Sequence, residues 1–186
     1  MKPKPHPRAK SLHYRHLLAN GVKTGITHLT GLIAHGRGEA FDYLLGERTH
    51  NFANEAIIAA AIMLTAARHP VITVNGNVTA LCAKEAVALA KAIPAPIEIN
   101  LFYRTQKRVN AIAKRFGKLG VGVLGAKADM KIKGYASKRA FMDKDGVATA
   151  DVVLVMLEDG DRTEELLRLG KKVIAIDLNP LSRTAQ

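Results

Sequence analysis

The sequence predicts an α/β fold: a Rossmann-like open parallel sheet with helices on both faces, preceded by an N-terminal helical region. Three observations predict it. From Val71 onward, short apolar runs alternate with stretches of helical character. The runs are continuous in Val, Ile and Leu instead of alternating with polar residues, as in strands covered on both faces. The core must also be aliphatic, because 48% of residues are hydrophobic, only 5% are aromatic and none is Trp, a composition common in layered α/β proteins. A length of 186 residues suits one domain with a substantial core. Within it, residues 1–68 form a helical, glycine-rich, anion-binding region and residues 69–186 form the parallel-sheet region.

In chain order, Ser11 to Val22 places Leu12, Leu17, Leu18 and Val22 at roughly helical spacing, with Gly25 where a helix would stop. From Gly31 to Gly46 a short apolar run leads to a glycine-flanked polar turn and then to Phe41, Leu44 and Leu45. Residues 51–68 read as an Ala-rich helix. Strands are expected at Val71 to Val74, Ile97 to Phe102, Val121 to Leu124, Val152 to Leu157 and Val173 to Ile176, with helices near 79–92, 105–118 and 161–169. Between Gly125 and Thr149 charges are frequent and no period is evident, so a long functional loop or lid is expected there.

Net charge is +12, and residues 1–38 hold seven Lys or Arg, five of the seven His and no acid. Such a surface seeks anions: a nucleic acid, or a compact polyanion such as ATP or a phosphorylated substrate. The simpler account of residues 1–10 is a solvated basic tail rich in Pro. The single cysteine, Cys82, excludes an internal disulfide, and no basic-then-apolar leader opens the chain, so the cytoplasm is the expected compartment. The longest apolar candidate, Ala53 to Ala67, is broken by Asn54 and Glu55, which argues against a membrane span.

In open parallel sheets ligands bind beyond the carboxyl ends of the strands, so residues just after each apolar run are the place to look. Gly120 to Gly125 matches a dinucleotide-binding pattern by letter, but its glycines bracket the strand and no helix follows. No Walker A sequence occurs, and Ser11, Ser137 and Ser182 lie outside any nucleophile elbow. Cys82 lies among Ala80, Leu81 and Ala83, where a buried structural thiol is expected, and the histidines lack zinc spacing.

Four segments remain. Between Ala34 and Asp42, Gly36 and Gly38 flank Arg37, so backbone can approach a phosphate while His35 and Arg37 donate to it; the alternative is a glycine-rich connector with an exposed Arg. Asp177 stands where acids grip ribose hydroxyls in α/β nucleotide sites, with Asn179, Arg183 and Thr184 close behind; the alternative is a solvated strand end. The turn Asn75 to Asn77 leads into a helix capped by Asn77 or Thr79, whose free amides face either an anion or only their own cap. Glu158 to Asp161 is either an acidic turn with Asp161 capping the next helix, or a magnesium or amine contact.

Several segments together resemble one family, the archaeal 4-phosphopantoate–β-alanine ligases, or phosphopantothenate synthetases. They are His6 to Arg8, Gly31 to Glu47, Val74 to Asn77, Ile99 to Thr105, Ala150 to Val155, Leu157 to Arg162 and Val173 to Thr184. The resemblance runs almost end to end. It implies a cytoplasmic Rossmann-like homodimer that uses ATP and Mg2+, transfers AMP to the carboxylate of 4-phosphopantoate with release of pyrophosphate, and lets the β-alanine amine displace AMP. Nucleotide contacts implied by the matching motifs are Arg15, Arg37, Asp177, Leu178, Asn179, Arg183 and Thr184. Chemistry alone adds His35, Asn75, Asn77 and Arg104 as binders of the phosphopantoate phosphate and carboxylate, with Arg37 and His35 nearest the reacting groups; no metal ligands are assigned. Members of the family continue past the segment ending at Thr184, whereas this chain stops at Gln186. The competing class is a non-catalytic basic module binding RNA or a nucleotide. Its weakness is the scarcity of aromatic residues for base stacking, so neither nucleic acid nor membrane is expected as a partner.

Overall fold

The structure, a computed structural model, describes residues 6–186; the basic, Pro-rich residues 1–5 lie outside the described residues. Three helices come first: α1 (Ala9–Lys23), α2 (Leu29–Leu45) and α3 (Asn51–Ala66). The sheet region follows as β1 (Pro70–Val74), α4 (Gly76–Ala92), β2 (Ile97–Ile99), α5 (Gln106–Gly117), β3 (Met130–Lys131), a 3-10 turn (Lys138–Ala140), β4 (Phe141–Met142), β5 (Val152–Met156), α6 (Gly160–Arg168) and β6 (Lys172–Ile176).

The main sheet is four-stranded, in the order β2-β1-β5-β6, and every neighbouring pair is parallel. From β1 the chain runs outward to β2, then returns to lay β5 and β6 on the other side. The strand order therefore reverses between β1 and β5. Alternate strand residues feed opposite faces, as period-two side chains require. Ile72, Val74, Leu154 and Ile174 join α3, α4 and α5 through Leu64, Val78, Val87, Val109, Ile112 and Phe116. Val71, Val153 and Val155 join α6 through Leu166, and also the 130–150 segment through Ile132, Ala140, Met142 and Val147. Both faces are thus covered, as the unbroken apolar runs predicted.

Several expectations need correction. Val121 to Leu124 does not form a strand: Leu124 makes a single parallel bridge to Glu98, donating to the Ile97 carbonyl at 2.8 Å and accepting from the Ile99 amide at 3.0 Å. Gly120 and Gly125, at φ +76° and +79°, close the run at both ends. Likewise β2 stops at Ile99, and the next residue, Asn100, is buried with its side-chain amide donating to the Arg139 and Phe141 carbonyls.

The glycine-flanked turn expected between Gly31 and Gly46 is instead one uninterrupted helix, α2, started by His28 Nδ1 accepting from the Thr30 amide. Glycine costs a helix interior about 1 kcal/mol relative to alanine, and its use here is spatial. A Cβ at Gly31 would lie 2.3 Å from Asn77 Oδ1, and one at Gly38 would lie 2.4 Å from Leu178 Cβ. Seven residues apart, these positions share one helix face, which is therefore flat enough to rest on the loops after β1 and β6.

The segment 125–149 is irregular, as expected, apart from the short β3–β4 pair and the 3-10 turn, and it packs against the sheet. Glu98, fully buried on β2, accepts from the amides of Asp143 at 3.1 Å and Val147 at 2.6 Å. The helix caps also differ from expectation: Asn75, not Asn77 or Thr79, caps α4, and Asp159, not Asp161, caps α6. Each side chain accepts from the amide three residues on, the usual N-cap geometry.

Glu98→Ala leaves two buried amide donors without acceptors, and we expect a loss of about 3 kcal/mol in stability. Urea unfolding measures it, and amide exchange at Val147 should accelerate more than exchange at Ile112. Equal acceleration at both would show that Glu98 does not anchor the cover locally.

Candidate functional site

A cavity of about 510 Å³ opens over the carboxyl ends of the strands, a size typical of small-ligand sites. It spans the switch between β1 and β5, where open α/β sheets bind ligands. Helix α2 forms one wall with His35 and Arg37. The α4 N-terminus, the loop after β2 and the first turn of α5 supply Gly76, Asn77, Tyr103 and Arg108, and the β5 and β6 ends supply residues 157–160, 177–179 and 182–184.

Most of the residues singled out from sequence meet here. Arg37, His35, Asn75, Asn77, Asp177, Leu178, Asn179, Arg183 and Thr184 all line the cavity. Asp177 is half-buried and braced, accepting from the Asn179 amide at 3.0 Å and the Ser182 hydroxyl at 2.6 Å. The Thr184 hydroxyl donates to the Glu158 carbonyl at 3.0 Å, tying the last loop to the end of β5. Arg183 is exposed and pairs with Asp161 at 2.5 Å and Glu164 at 2.8 Å. Arg37 is exposed at the rim.

Two predicted residues do not line it. The Arg15 guanidinium lies on Glu39, with its Nη2 at 2.9 Å, and Ser11 donates to the same carboxylate. Arg104 donates to the carbonyls of Gly125 and Ala126. The two asparagines line the cavity but their side chains are committed. Asn75 Nδ2 donates to the Met156 and Leu157 carbonyls at 2.8 and 3.1 Å while its oxygen caps α4, and Asn77 Nδ2 donates to the Gly31 carbonyl at 2.8 Å. What they leave facing the cavity is the α4 N-terminus.

Sequence reasoning missed Arg108 and Arg139. Arg108 stands on the first turn of α5, three residues after the Thr105 cap, so the spacing from the end of β2 was the available signal. Arg139 comes from the aperiodic 130–150 segment, and no sequence pattern marks it. It is 7% exposed, pairs with Glu158, and places Nε 2.7 Å from Asp159. Arg162, fully buried on α6, donates to the Arg139 carbonyl and lies 3.7 Å from Glu158. Burial, only partly offset by the acids, lowers both guanidiniums to about 10. Acids and bases therefore alternate along the cavity floor.

His35 is 7% exposed and its Nδ1 has no hydrogen-bond partner among the described residues. Burial pulls its pKa below the ordinary value, so the ring is neutral near pH 7. Cys82, half-buried at a kink in α4, has its thiol pushed up to about 11 by burial and takes no part in chemistry here. Among the described residues, no three His, Cys, Asp or Glu side chains cluster in a way that would hold a metal ion, and no helix is long and apolar enough to cross a membrane.

The family model described as phosphopantothenate/pantothenate synthetase matches residues 52–186. Curated relatives named 4-phosphopantoate–β-alanine ligase are similar along nearly the whole chain. The relative from Thermococcus kodakarensis is 54% identical over 99% of this chain and 71% of its own length. That from Methanospirillum hungatei is 53% identical over 100% and 76%, and that from Methanosarcina mazei is 51% identical over 99% and 73%.

The Arg15–Glu39 pair braces α1 against α2 and thereby the wall that carries His35. Burial alone would raise the Glu39 pKa, but the hydrogen bonds from Arg15 and Ser11 outweigh it and hold the carboxyl below its usual value of 4.5. Its contribution to stability is therefore full above that value and is lost as pH falls through the lower folded pKa. Melting curves between pH 3 and 6 should fall less steeply for Glu39→Gln than for the parent, and parallel curves would show that the pair is not part of the acid response.

Proposed function

The chain belongs to the phosphopantothenate/pantothenate synthetase family and condenses 4-phosphopantoate with β-alanine, a step of coenzyme A biosynthesis; we propose that it does so in the cavity above the β1–β5 switch, using ATP. The observation that carries this assignment of place is the convergence of Arg37, His35 and the 177–184 loop on one cavity at the carboxyl edge of a parallel sheet.

In this reading, Asp177 and Asn179 hold the ribose, and Arg37, Arg183 and Thr184 lie along the phosphates, with Leu178 against the nucleoside. The carboxylate of 4-phosphopantoate attacks the α-phosphate, pyrophosphate departs, and the amine of β-alanine then attacks the acyl carbon and releases AMP. Charge builds on the α-phosphoryl oxygens in the first step, so preplaced cationic donors such as Arg37 act where they lower the barrier. His35, neutral with its Nδ1 buried and unpartnered, lines the same wall beside the acid substrate. Asn75 and Asn77 contribute the turn that presents the α4 amides. Arg15 and Arg104 support the walls, acting through Glu39 and the 125–126 carbonyls.

The residues suit Mg2+ only as an ion carried in by the nucleotide. Magnesium commonly takes one or two carboxylates and completes its shell with phosphate oxygens and water. Both acids at the β5 end, Glu158 and Asp159, are already paired with Arg139, so phosphate oxygens and water would supply the ion's ligands, and a bound ion would neutralise the departing pyrophosphate.

A homodimer is part of the same proposal. Helices α2 and α3 leave Ile33, Leu44, Phe52, Ile57, Ile58 and Ile62 exposed, each by more than half. Exposed apolar side chains in that number suit an interface, and a second copy of this chain covers them in a self-complementary contact. Sedimentation should give a dimer that Ile58→Glu converts to monomer; a monomeric parent protein, or a dimer indifferent to the charge, contradicts the assignment.

For the chemistry, incubation with ATP, 4-phosphopantoate and β-alanine should yield AMP and pyrophosphate, with Arg37→Ala at least about tenfold slower, since a charge-assisted contact to phosphate contributes on the order of 1.5–3 kcal/mol. ADP and phosphate as products would replace the adenylate with an acyl phosphate, and an unimpaired Arg37→Ala would move the phosphates elsewhere.

A further inference from the structure

Charge is spread unevenly over the chain. Residues 56–128 hold ten Lys or Arg and only two acids, Glu85 and Glu98, and Glu98 is fully buried. The two helices of this stretch, α4 and α5, pack side by side on the same face of the sheet. Away from the sheet α4 exposes Lys84 and Lys91, and α5 with its C-cap exposes Lys107, Lys114 and Lys118. Separations of four, seven and eleven residues return to one side of a helix, so the five lysines form two rows. The helical rise makes the α4 row about 10 Å long and the α5 row about 16 Å long. Packed helices lie about 8–10 Å apart, which sets the distance between the rows.

None of these lysines makes an ion pair among the described residues, whereas Arg15, Arg139, Arg162, Arg168 and Arg183 all have acids. None of them lines the cavity either, so the substrates do not explain their grouping. A compact phosphate needs donors that converge on a point, and these ammonium groups stand along two lines instead.

What the face lacks decides which extended anion it fits. A membrane surface calls for large apolar side chains among the cations, and none of the exposed ones lies on α4 or α5. A single strand calls for aromatic platforms on which bases stack; the one aromatic residue of these two helices, Phe116, is fully buried. A duplex needs neither. It carries one negative charge per about 1.7 Å of axis, its phosphates are contacted by Lys without regard to sequence, and its two strands stand about 6 and 12 Å apart across the minor and major grooves, which brackets the distance between the rows. We propose that the α4–α5 face docks double-helical DNA through its phosphates, one row of lysines to each strand. The scarcity of aromatic residues, which counts against base stacking, does not bear on a contact of this kind.

The test is fluorescence anisotropy of a labelled DNA duplex of about 20 base pairs, titrated with the intact protein between about 50 and 200 mM KCl. With five phosphates neutralised, the logarithm of the affinity should fall against the logarithm of salt with a slope of about −4.5, or roughly 500-fold over that range. Lys84→Ala/Lys91→Ala, which removes one row, should reduce the slope to about −2.7 and weaken binding at low salt by at least about tenfold. Lys133→Ala/Lys144→Ala takes the same charge from the segment on the opposite sheet face and should leave slope and affinity as in the parent. Equal losses in the two double variants would reduce the binding to net charge and overturn the inference, as would a parent protein that does not bind the duplex. Tighter binding of single-stranded DNA of the same length, or of an acidic peptide of equal charge, would also overturn it, the latter by assigning the face to a protein. Phosphopantothenate formation should be the same in the parent and both variants; a loss in Lys84→Ala/Lys91→Ala would show that these lysines serve the reaction and would contradict the proposal.

Discussion

The structure depends on what happens where β1 ends. A parallel sheet delivers all its strands to one edge, and the backbone groups freed there must find partners if they are to stay buried. One side chain, Asn75, meets that need on both sides of the switch. Its amide donates to the Met156 and Leu157 carbonyls that end β5, and its oxygen accepts from the Val78 amide that opens α4. Because β1, β5 and α4 are fixed by this one group, the α4 N-terminus has a defined place at the switch point. The next helix inward, α2, can then be laid across it through Gly31 and Gly38.

The charge pattern of the cavity follows from the same layout. The β5 end carries Glu158 and Asp159, and both are answered by Arg139 from the cover over the opposite sheet face. Buried ion pairs of this sort contribute little net stability, yet removing one partner is costly. The Arg139–Glu158–Arg162 cluster therefore reads as a device that holds the 130–150 cover at one position over the cavity, helped by Glu98 beneath it. Arg108 has no carboxylate partner among the described residues and is held by the Tyr103 and Ile26 carbonyls instead.

Much of this was legible in the sequence. Continuous β-branched runs gave away strands covered on both faces, and the rule that ligands sit past the carboxyl ends led to Asp177, Asn179 and Thr184. What was hidden was three-dimensional. The glycines around Arg37 looked like a phosphate-binding turn because close approach of backbone to ligand and close approach of helix to loop call for the same residue. The asparagines after β1 looked like ligands because an amide that caps and bridges reads the same as one that is free. Arg15 and Arg104 have acceptors within the walls, Glu39 for the first and backbone carbonyls for the second, and no spacing in the chain records that. Arg139 belongs to a segment without period, whose place is set by Glu98 from 45 residues away in sequence.

The central claim is an order: nucleoside over β6 and reacting groups over the β1–β5 switch. A crystal structure of the intact protein with 4-phosphopantoate and a non-hydrolysable ATP analogue measures it directly. The account predicts ribose hydroxyls on the Asp177 carboxylate and triphosphate oxygens within hydrogen-bond distance of Arg37. A triphosphate remote from Arg37, or a phosphomonoester found beside Asp177, would contradict it.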